Sequence, residues 1–228
     1  MKKPAFYTEL SYVLGILFLS FGTSLMTKAD FGLSMVVAPA YLIHLKLSPY
    51  FSFITFGVAS YLFQAVILIV LSVVLRRFKI SYLFSFVTAV IYGFALDGFI
   101  LLTKNIPAEA LTVRITLFAA GILLSTFGIC LCFHTYISPE AYDVLVKDIA
   151  TVKGFDIGKT KTVYDFSSLA LSVILSFCFF GLFEFRGIGI GTAIAAFVNG
   201  ALIGAYGKLL EKHFEFKDAL PLRKFFER

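Results

Sequence analysis

The chain lacks several features that mark secreted domains and metalloproteins. Its 228 residues include no tryptophan and only three cysteines, and just 15% of them are charged. The cysteines (Cys130, Cys132 and Cys178) all lie inside apolar stretches. Their odd number and the Cys-x-Cys spacing match neither a disulfide framework nor a common zinc site. We expect them to pack as small apolar residues, and we predict no metal ion or other cofactor.

Sequence motifs for catalysis are also missing. The chain contains no phosphate-binding P-loop, no His-Glu-x-x-His zinc motif and no Gly-x-Ser-x-Gly nucleophile elbow. The glycine-rich stretch 187–191 follows a predicted helix rather than a strand, so it does not fit a dinucleotide-binding turn. These absences predict that the protein is not an enzyme.

Long apolar runs are what the chain has in excess. Hydrophobic residues make up 59% of it, against about 45–50% in soluble domains. They collect in six runs of about 18 to 25 residues, the length that crosses a ~30 Å hydrocarbon core as a helix. The pattern predicts an all-α integral membrane protein, with Ser48-Pro49 starting the second spanning helix. The predicted transmembrane helices are 10–27, 50–75, 82–103, 113–133, 162–183 and 188–210.

The placement of the basic residues explains the net charge of +6. With the N-terminus in the cytoplasm, 15 of the 20 Lys and Arg residues fall on the cytoplasmic side, as the positive-inside rule requires. Both termini are therefore predicted to be cytoplasmic, and residues 211–228 form a basic cytoplasmic tail. The predicted partner is the lipid bilayer, and no nucleic acid is expected. The five outside residues are Lys28, Lys46, Lys104, Arg114 and Arg186.

The two halves of the chain resemble each other. Residues 15–25 and 121–131 are identical at six of eleven positions, at an offset of 106. Each half carries three predicted spanning helices. Because three is odd, repeat two (113–210) is predicted to insert with the opposite polarity to repeat one (10–104). Inverted repeats of this kind are frequent in secondary transporters, so we predict a single membrane domain, 1–228, built from two of them.

A short apolar segment follows the first helix of each repeat, at 31–43 and 137–145. Each is too short to cross a bilayer and begins with turn-forming residues, as in Ser138-Pro139-Glu140. Each segment is predicted to form either a re-entrant or an interfacial helix. In the re-entrant case, the first backbone N–H groups of the two helices could hold an anion or a carboxylate at the membrane centre.

Small residues recur every four positions on the last helix of each repeat. Such stripes allow helix backbones to approach closely in lipid. We therefore expect the third and sixth spanning helices to cross each other at the axis that relates the repeats. The predicted packing residues are Ala89, Gly93, Ala196, Gly200 and Gly204.

Polar residues at membrane depth mark a candidate substrate site between the repeats, because such residues are costly in lipid. Two cations at matching positions, Lys28 and His134, are placed at the mouth of the site. Both also lie at predicted helix ends, where a positive charge offsets the helix dipole, so a purely structural role stays open. The residues predicted to line the site are Ser34, Asp97, Ser138, Asp143 and Asn199.

Three elements of the sequence resemble the YczE/YitT-like bacterial integral membrane proteins, a family whose function is largely unassigned. They are Gly32–Ser34, the Ser-Pro-x-x-x-Asp element at Ser138–Asp143, and Gly189–Thr192 running into Asn199–Gly204. The resemblance covers roughly residues 10–210. It implies a multi-pass protein of the bacterial cytoplasmic membrane, and it supplies no substrate.

The leading functional hypothesis is a small-solute transporter or permease for a carboxylate-bearing or other anionic molecule, and a homodimer is an open alternative to a monomer. One rival is a substrate-capturing subunit of a multi-component importer, which the small size and the lack of a nucleotide motif would fit. A second rival is a membrane partner protein that transports nothing. A lipid-modifying enzyme is the weakest alternative, because no paired catalytic groups lie at one depth.

Overall fold

The computed structural model describes residues 3–155, 157–182, 184, 186–221 and 223. Six of its helices are long and apolar enough to cross a membrane, which confirms the predicted all-α membrane architecture. Two shorter helices, α2 and α6, stand where the short segments were predicted. The helices are α1 (Thr8–Ala29), α2 (Ala38–Leu47), α3 (Phe56–Leu75), α4 (Ile80–Thr103), α5 (Leu111–Phe133), α6 (Ala141–Lys153), α7 (Ile157–Phe180) and α8 (Ile190–His213).

Two short strands hold the ends of the described chain together. Strand β1 (Ala5–Tyr7) pairs in parallel with β2 (Glu215–Lys217), and Phe6 stands opposite Phe216. Because β1 leads directly into α1 and β2 follows α8, both ends of the helical bundle's chain lie on one face, which we call the terminal face. These strands lie outside the apolar runs, and the hydropathy pattern does not predict them.

The predicted start of the second spanning helix is wrong. Ser48 ends α2, its backbone N–H donating to His44 O, and α3 begins eight residues later at Phe56. The N-cap of α3 is Thr55, whose hydroxyl accepts a hydrogen bond from Val58 N. Residues 48–54 form turns on the opposite face of the bundle. The aromatic residues there extend the apolar run without extending the helix.

The most extensive helix contact among the described residues joins α1 and α5, which run antiparallel and cross closely. A Cβ atom added at Gly22 would lie 2.6 Å from Gly121 O, and one added at Gly128 would lie 2.6 Å from Gly15 O. Only glycine permits the backbones to approach this closely. The crossing places the first helices of the two predicted repeats back to back at the centre of the protein.

Within the described residues, the third and sixth spanning helices, α4 and α8, do not form the expected crossing. Ala89 and Gly93 of α4 are buried, but Gly93 packs on Gly57 O of the neighbouring helix α3. Gly200 and Gly204 of α8 face open space, with no atom within 4 Å of an added Cβ. A small-residue stripe signals a close approach, but its spacing does not identify the partner helix.

The short segments form re-entrant hairpins rather than interfacial helices. The N-terminus of α6 lies beside Gln64, near the middle of α3, because Gln64 Oε1 accepts a hydrogen bond of 3.0 Å from Ala141 N. At its other end, Asp148 pairs with Lys79 on the terminal face. Helix α2 mirrors this path: Val36 packs against the cluster around Tyr142, and His44 Nδ1 lies 2.9 Å from Ile54 O at the opposite face. The tips of the two hairpins thus approach each other at mid-depth.

Candidate functional site

A cleft of about 310 Å³ opens between the two hairpin tips. Its walls come from α1, α5, α7 and α8, and both re-entrant segments contribute to its lining. Most of the surface is apolar, with a small number of polar and charged groups concentrated near the tip of the second hairpin. Its polar lining residues include Tyr12, Ser34, Thr88, Glu140, Asp143, Lys161, Asp165 and Asn199.

The tip of the second hairpin, residues 138–141, is anchored by side chains from α3 and α4. Ser85 Oγ donates to Pro139 O at 2.6 Å, and Thr88 Oγ1 donates to Ser138 O at 2.9 Å. Tyr12 Oη lies 2.9 Å from Thr88 Oγ1, which ties α1 to the same point. Carbonyl groups of non-helical backbone at membrane depth must find protein partners because lipid offers none. These bonds satisfy that requirement and fix the floor of the cleft.

Gln64 gives the floor its polar centre. The side chain is fully buried, and both ends of its amide are used. Its oxygen accepts from Ala141 N, and its Nε2 donates to Glu140 Oε1 at 3.3 Å. The contact with Ala141 N thus sets the orientation of the Gln64 amide. As a result, the NH₂ group of Gln64, and not its carbonyl oxygen, faces the Glu140 carboxyl. In the part of the chain that the structure describes, no basic group forms an ion pair with Glu140.

A charged triad stands beside Glu140. Lys161 Nζ lies 3.3 Å from Asp165 Oδ1 and 3.8 Å from Asp143 Oδ1, so one ammonium is shared between two carboxylates. Asp143 belongs to the first turn of α6, whereas Lys161 and Asp165 are one turn apart on α7. The three side chains are partly exposed to the cleft, at 24–36% of their full accessible surface. With Glu140, the cleft therefore contains three carboxyl groups and one ammonium.

Burial changes the titration of the two carboxyls in the hairpin, which lies outside the six spanning helices. Loss of water raises the pKa of Glu140 to about 8, and the neighbouring Asp143 charge contributes to the increase. The hydrogen bond from Gln64 and the charge of Lys161 oppose it with smaller effects. Burial likewise raises the pKa of Asp143, and Lys161 partly offsets this. Glu140 therefore holds its proton to a higher pH than a solvated glutamate does.

Several of the first backbone amides of the hairpin helices are already bonded within the protein. Ser34 O accepts from Val37 N and Ala38 N, both at 3.0 Å. Glu140 O accepts from Asp143 N at 3.1 Å and Val144 N at 3.2 Å in the same way. The sequence predicts N–H groups available to an anion, and the turn that starts each helix engages two of them. The carboxyl groups beside them make an anion still less favourable.

Helix α8 forms the far wall. Asn199 lines the cleft, and its Oδ1 accepts a hydrogen bond of 3.2 Å from Thr126 Oγ1 of α5. Ala196 and Gly200 lie on the same wall, so these small residues widen the cleft instead of packing a helix. The amide of Asn199 is thus held by α5 while its face remains on the cavity.

Comparison with known protein families places the chain. A family model described as a family of unknown function, DUF6198, matches residues 6–208. The chain belongs to DUF6198. This is consistent with the resemblance to an uncharacterised family of membrane proteins, although the narrower YczE/YitT-like assignment stays a prediction. No curated protein and no solved structure matched the chain. Every residue that lines the cleft lies within the matched DUF6198 region.

The structure of this DUF6198 protein brings together part of the predicted site. Ser34, Asp143 and Asn199 line the same cleft. Ser138 is buried directly behind it, and the Ser138 carbonyl accepts the Thr88 hydroxyl. These four residues come from both halves of the chain, so the predicted position between the halves is where the cleft lies.

The other predicted residues have different contacts. Asp97 caps α3, accepting from Gly57 N at 2.8 Å and from the Thr55 hydroxyl. Lys28 Nζ donates to Lys104 O at the opposite face. His134 stacks on Phe216 and lies 3.4 Å from Glu211 Oε1 at the terminal face. None of the three is among the residues that line this DUF6198 cleft.

Sequence reasoning missed Glu140, Lys161 and Tyr12 as cleft residues. Glu140 reads as a first-turn acid that favours a helix dipole, and Lys161 counts as one more cytoplasmic charge. The i,i+4 spacing of Lys161 and Asp165 was an available signal, since it places both charges on one side of α7 in an apolar run. No sequence signal points to Tyr12, whose role in the DUF6198 cleft depends on the position of α4.

Proposed function

We propose that this membrane-spanning helical protein transports a small, positively charged organic solute through the cleft between its re-entrant hairpins. The observation that carries the proposal is the meeting of two hairpin tips at mid-depth, where they border one polar cleft. Discontinuous helices meeting at the bilayer centre are typical of secondary transporters, which bind their substrate there and expose it alternately to each side. The size of the cleft, about 310 Å³, fits a small molecule.

The charge of the cleft supports a cationic group on the solute rather than the anion expected from the sequence. Three carboxyl groups face one ammonium, and several first-turn amides of the hairpin helices are already bonded within the protein. Among the residues that the structure describes, no three His, Cys, Asp or Glu side chains gather as a metal ion would require. A solute amine, which needs only one or two carboxylates and an amide oxygen, is a better fit than a bare cation.

Uptake measurements with purified protein in liposomes test this proposal. We expect accumulation of one or more labelled small amines from a panel, with carboxylates of similar size left outside. At a pH above the raised pKa of Glu140, Glu140→Gln and Asp143→Asn should each lower uptake about tenfold or more, because each removes a charge partner of the amine. The matched control is Glu184→Gln, since Glu184 is exposed and pairs with Arg186 away from the cleft.

The pH profile gives a second, independent readout. Because the pKa of Glu140 is raised to about 8, increasing the pH through that value ionises the carboxyl and strengthens its attraction for an amine. Uptake should therefore rise with pH in the wild type, and Glu140→Gln should flatten the rise. Uptake that is unchanged in both cleft variants, or a preference for carboxylates, would contradict the proposal. Because we propose a transporter and not an enzyme, the solute recovered from the liposomes should be chemically unaltered.

A further inference from the structure

A second cavity, of about 550 Å³, lies on the outside of the bundle between α3 and α4, remote from the cleft. We call it the α3–α4 groove. Its walls are almost entirely apolar, and several of the side chains that form them are largely exposed on the lipid-facing surface, including Ile69 at 63% and Val73 at 69%. The remaining wall residues are Ala65, Leu68, Ser72, Phe78, Tyr82, Leu83 and Phe86.

Two arginines stand at the end of the groove on the terminal face. Arg76 and Arg77 follow the last residue of α3, and both belong to the groove lining. Arg76 takes a left-handed backbone conformation, with φ of 49°, and donates its N–H to Ser72 O and Val73 O. Glycine is the usual residue at such a helix end, and a side chain there carries a conformational cost. The chain nevertheless has an arginine there.

No described acid forms an ion pair with these two arginines. Arg114, Arg186 and Arg223 each form an ion pair with an acid. In the described part of the chain, no carboxylate forms one with Arg76 or Arg77. Asp148, which is bonded to the groove residue Tyr82, is already engaged, because it accepts from Lys79 Nζ at 2.8 Å and from Tyr82 Oη at 2.6 Å. Arg77 has a side-chain hydrogen bond with the neutral Tyr82 hydroxyl. The groove mouth therefore has two guanidinium groups that no described carboxylate pairs with.

We propose that the α3–α4 groove binds an anionic phospholipid, with an acyl chain along the groove and the headgroup on Arg76 and Arg77. The apolar channel matches a hydrocarbon chain, and its charged end lies where the spanning helices α3 and α4 reach the membrane boundary. A zwitterionic headgroup carries its own cation and would leave the arginines uncompensated, whereas a phosphatidylglycerol-type headgroup supplies a net negative charge. Guanidinium groups bind phosphate oxygens in a paired geometry, which favours this occupant. The proposal does not depend on the transport hypothesis.

Native mass spectrometry of the purified protein in detergent tests the site, with phosphatidylglycerol and phosphatidylcholine of equal chain length as probes. We expect the wild type to retain phosphatidylglycerol in preference to phosphatidylcholine. Arg76→Gln combined with Arg77→Gln should weaken phosphatidylglycerol binding about tenfold, since a basic residue near the headgroups contributes substantially to attraction. Ala65→Trp, which fills the groove while keeping both charges, should also reduce binding.

The matched control is Lys208→Gln combined with Lys212→Gln, which removes the same charge from the terminal end of α8, away from the groove. If this control weakens phosphatidylglycerol binding as much as the arginine variant does, general attraction to basic charge explains the result and the proposal is overturned. Equal retention of both lipids by the wild type would also overturn it. A thermal unfolding scan of each variant without added lipid separates lost binding from lost folding.

Discussion

Single glycines determine how close the central helices come. At Gly22 and Gly128 the neighbour of a new Cβ would be backbone rather than a flexible side chain, so nothing small can move aside. In lipid, helix association depends on close van der Waals packing because both helices and lipid tails are apolar. The α1–α5 crossing therefore depends on residues that contribute no side chain at all.

Gly22→Ala should destabilise the protein by about 1–3 kcal/mol, the cost typical of overpacking a tight interface. The added methyl group would lie 2.6 Å from Gly121 O and force α1 away from α5. Gly204→Ala is the matched control, since that position faces open space and alanine favours the helix. Thermal unfolding in detergent, followed by helicity, compares the two. Equal midpoints would show that the helices are not as close as described.

Asp97 illustrates a membrane carboxylate with a structural role. Asp97→Asn should lower stability by about 1–2 kcal/mol, because the amide is a weaker acceptor for Gly57 N and the Thr55 hydroxyl. Solute uptake, corrected for the amount of folded protein, should keep its Michaelis constant. Asp165→Asn, which removes a cleft acid of similar exposure to Asp143, should raise that constant instead. A raised Michaelis constant in the Asp97 variant alone would contradict this prediction and indicate that Asp97 contributes to solute binding.

At the scale of elements, the re-entrant hairpins depend on anchors from the spanning helices. Helix α6 starts at mid-depth because Gln64, Ser85 and Thr88 supply partners for its backbone there. Short turn-initiated segments in matching places were recognisable in the sequence, but their depth was not. Depth is decided by these buried partners on α3 and α4, and a sequence pattern does not show which polar residues will meet.

Gln64→Leu tests the anchor. It leaves Ala141 N without an acceptor and Glu140 without its amide donor, so we expect a loss of about 1–3 kcal/mol in stability. Uptake should fall as well, because the floor of the cleft is no longer held. Ser72→Ala is the control on the same helix, as its hydroxyl only donates back to Leu68 O. If both variants unfold at the same temperature, Gln64 is not an anchor.

The sequence predicts the spanning helices better than it predicts which helices pack together. Apolar length alone predicts six spanning helices, because the thickness of the bilayer sets that length. It does not locate the start of α3, since Phe51 and Phe53 are apolar residues in a turn. Nor does it identify crossings: Gly15, Gly22, Gly121 and Gly128 were visible as part of a repeat, but the α8 stripe appeared equally suited to packing. Lys161 and Glu140 were missed because charges near helix ends usually have local roles.

At the scale of the whole molecule, several contacts follow the 106-residue offset found in the sequence. At this offset Gly121 is the counterpart of Gly15, and Gly128 is the counterpart of Gly22. Gly15 contacts Gly128 and Gly22 contacts Gly121, so the two contacts are exchanged when the halves are exchanged. The turn at Ser34 has its counterpart at Glu140, with hydrogen bonds to the third and fourth following residues in both. A two-fold axis in the membrane plane would produce these reciprocal contacts. They support the inverted repeat, which remains a prediction.

The inverted repeat and the positive-inside bias together make a prediction about sidedness. With the native cysteines replaced by alanine, single cysteines at Phe78 and Lys153 should react with a membrane-impermeant maleimide only when the cytoplasmic side is exposed. Cysteines at Tyr50 and Glu109 should react in intact cells, because these exposed residues lie on the opposite face. Labelling of all four sites in detergent is the control for accessibility. If Phe78 and Lys153 react from different sides, the second half does not enter the membrane inverted, and a cleft shared between two opposed hairpins is not possible.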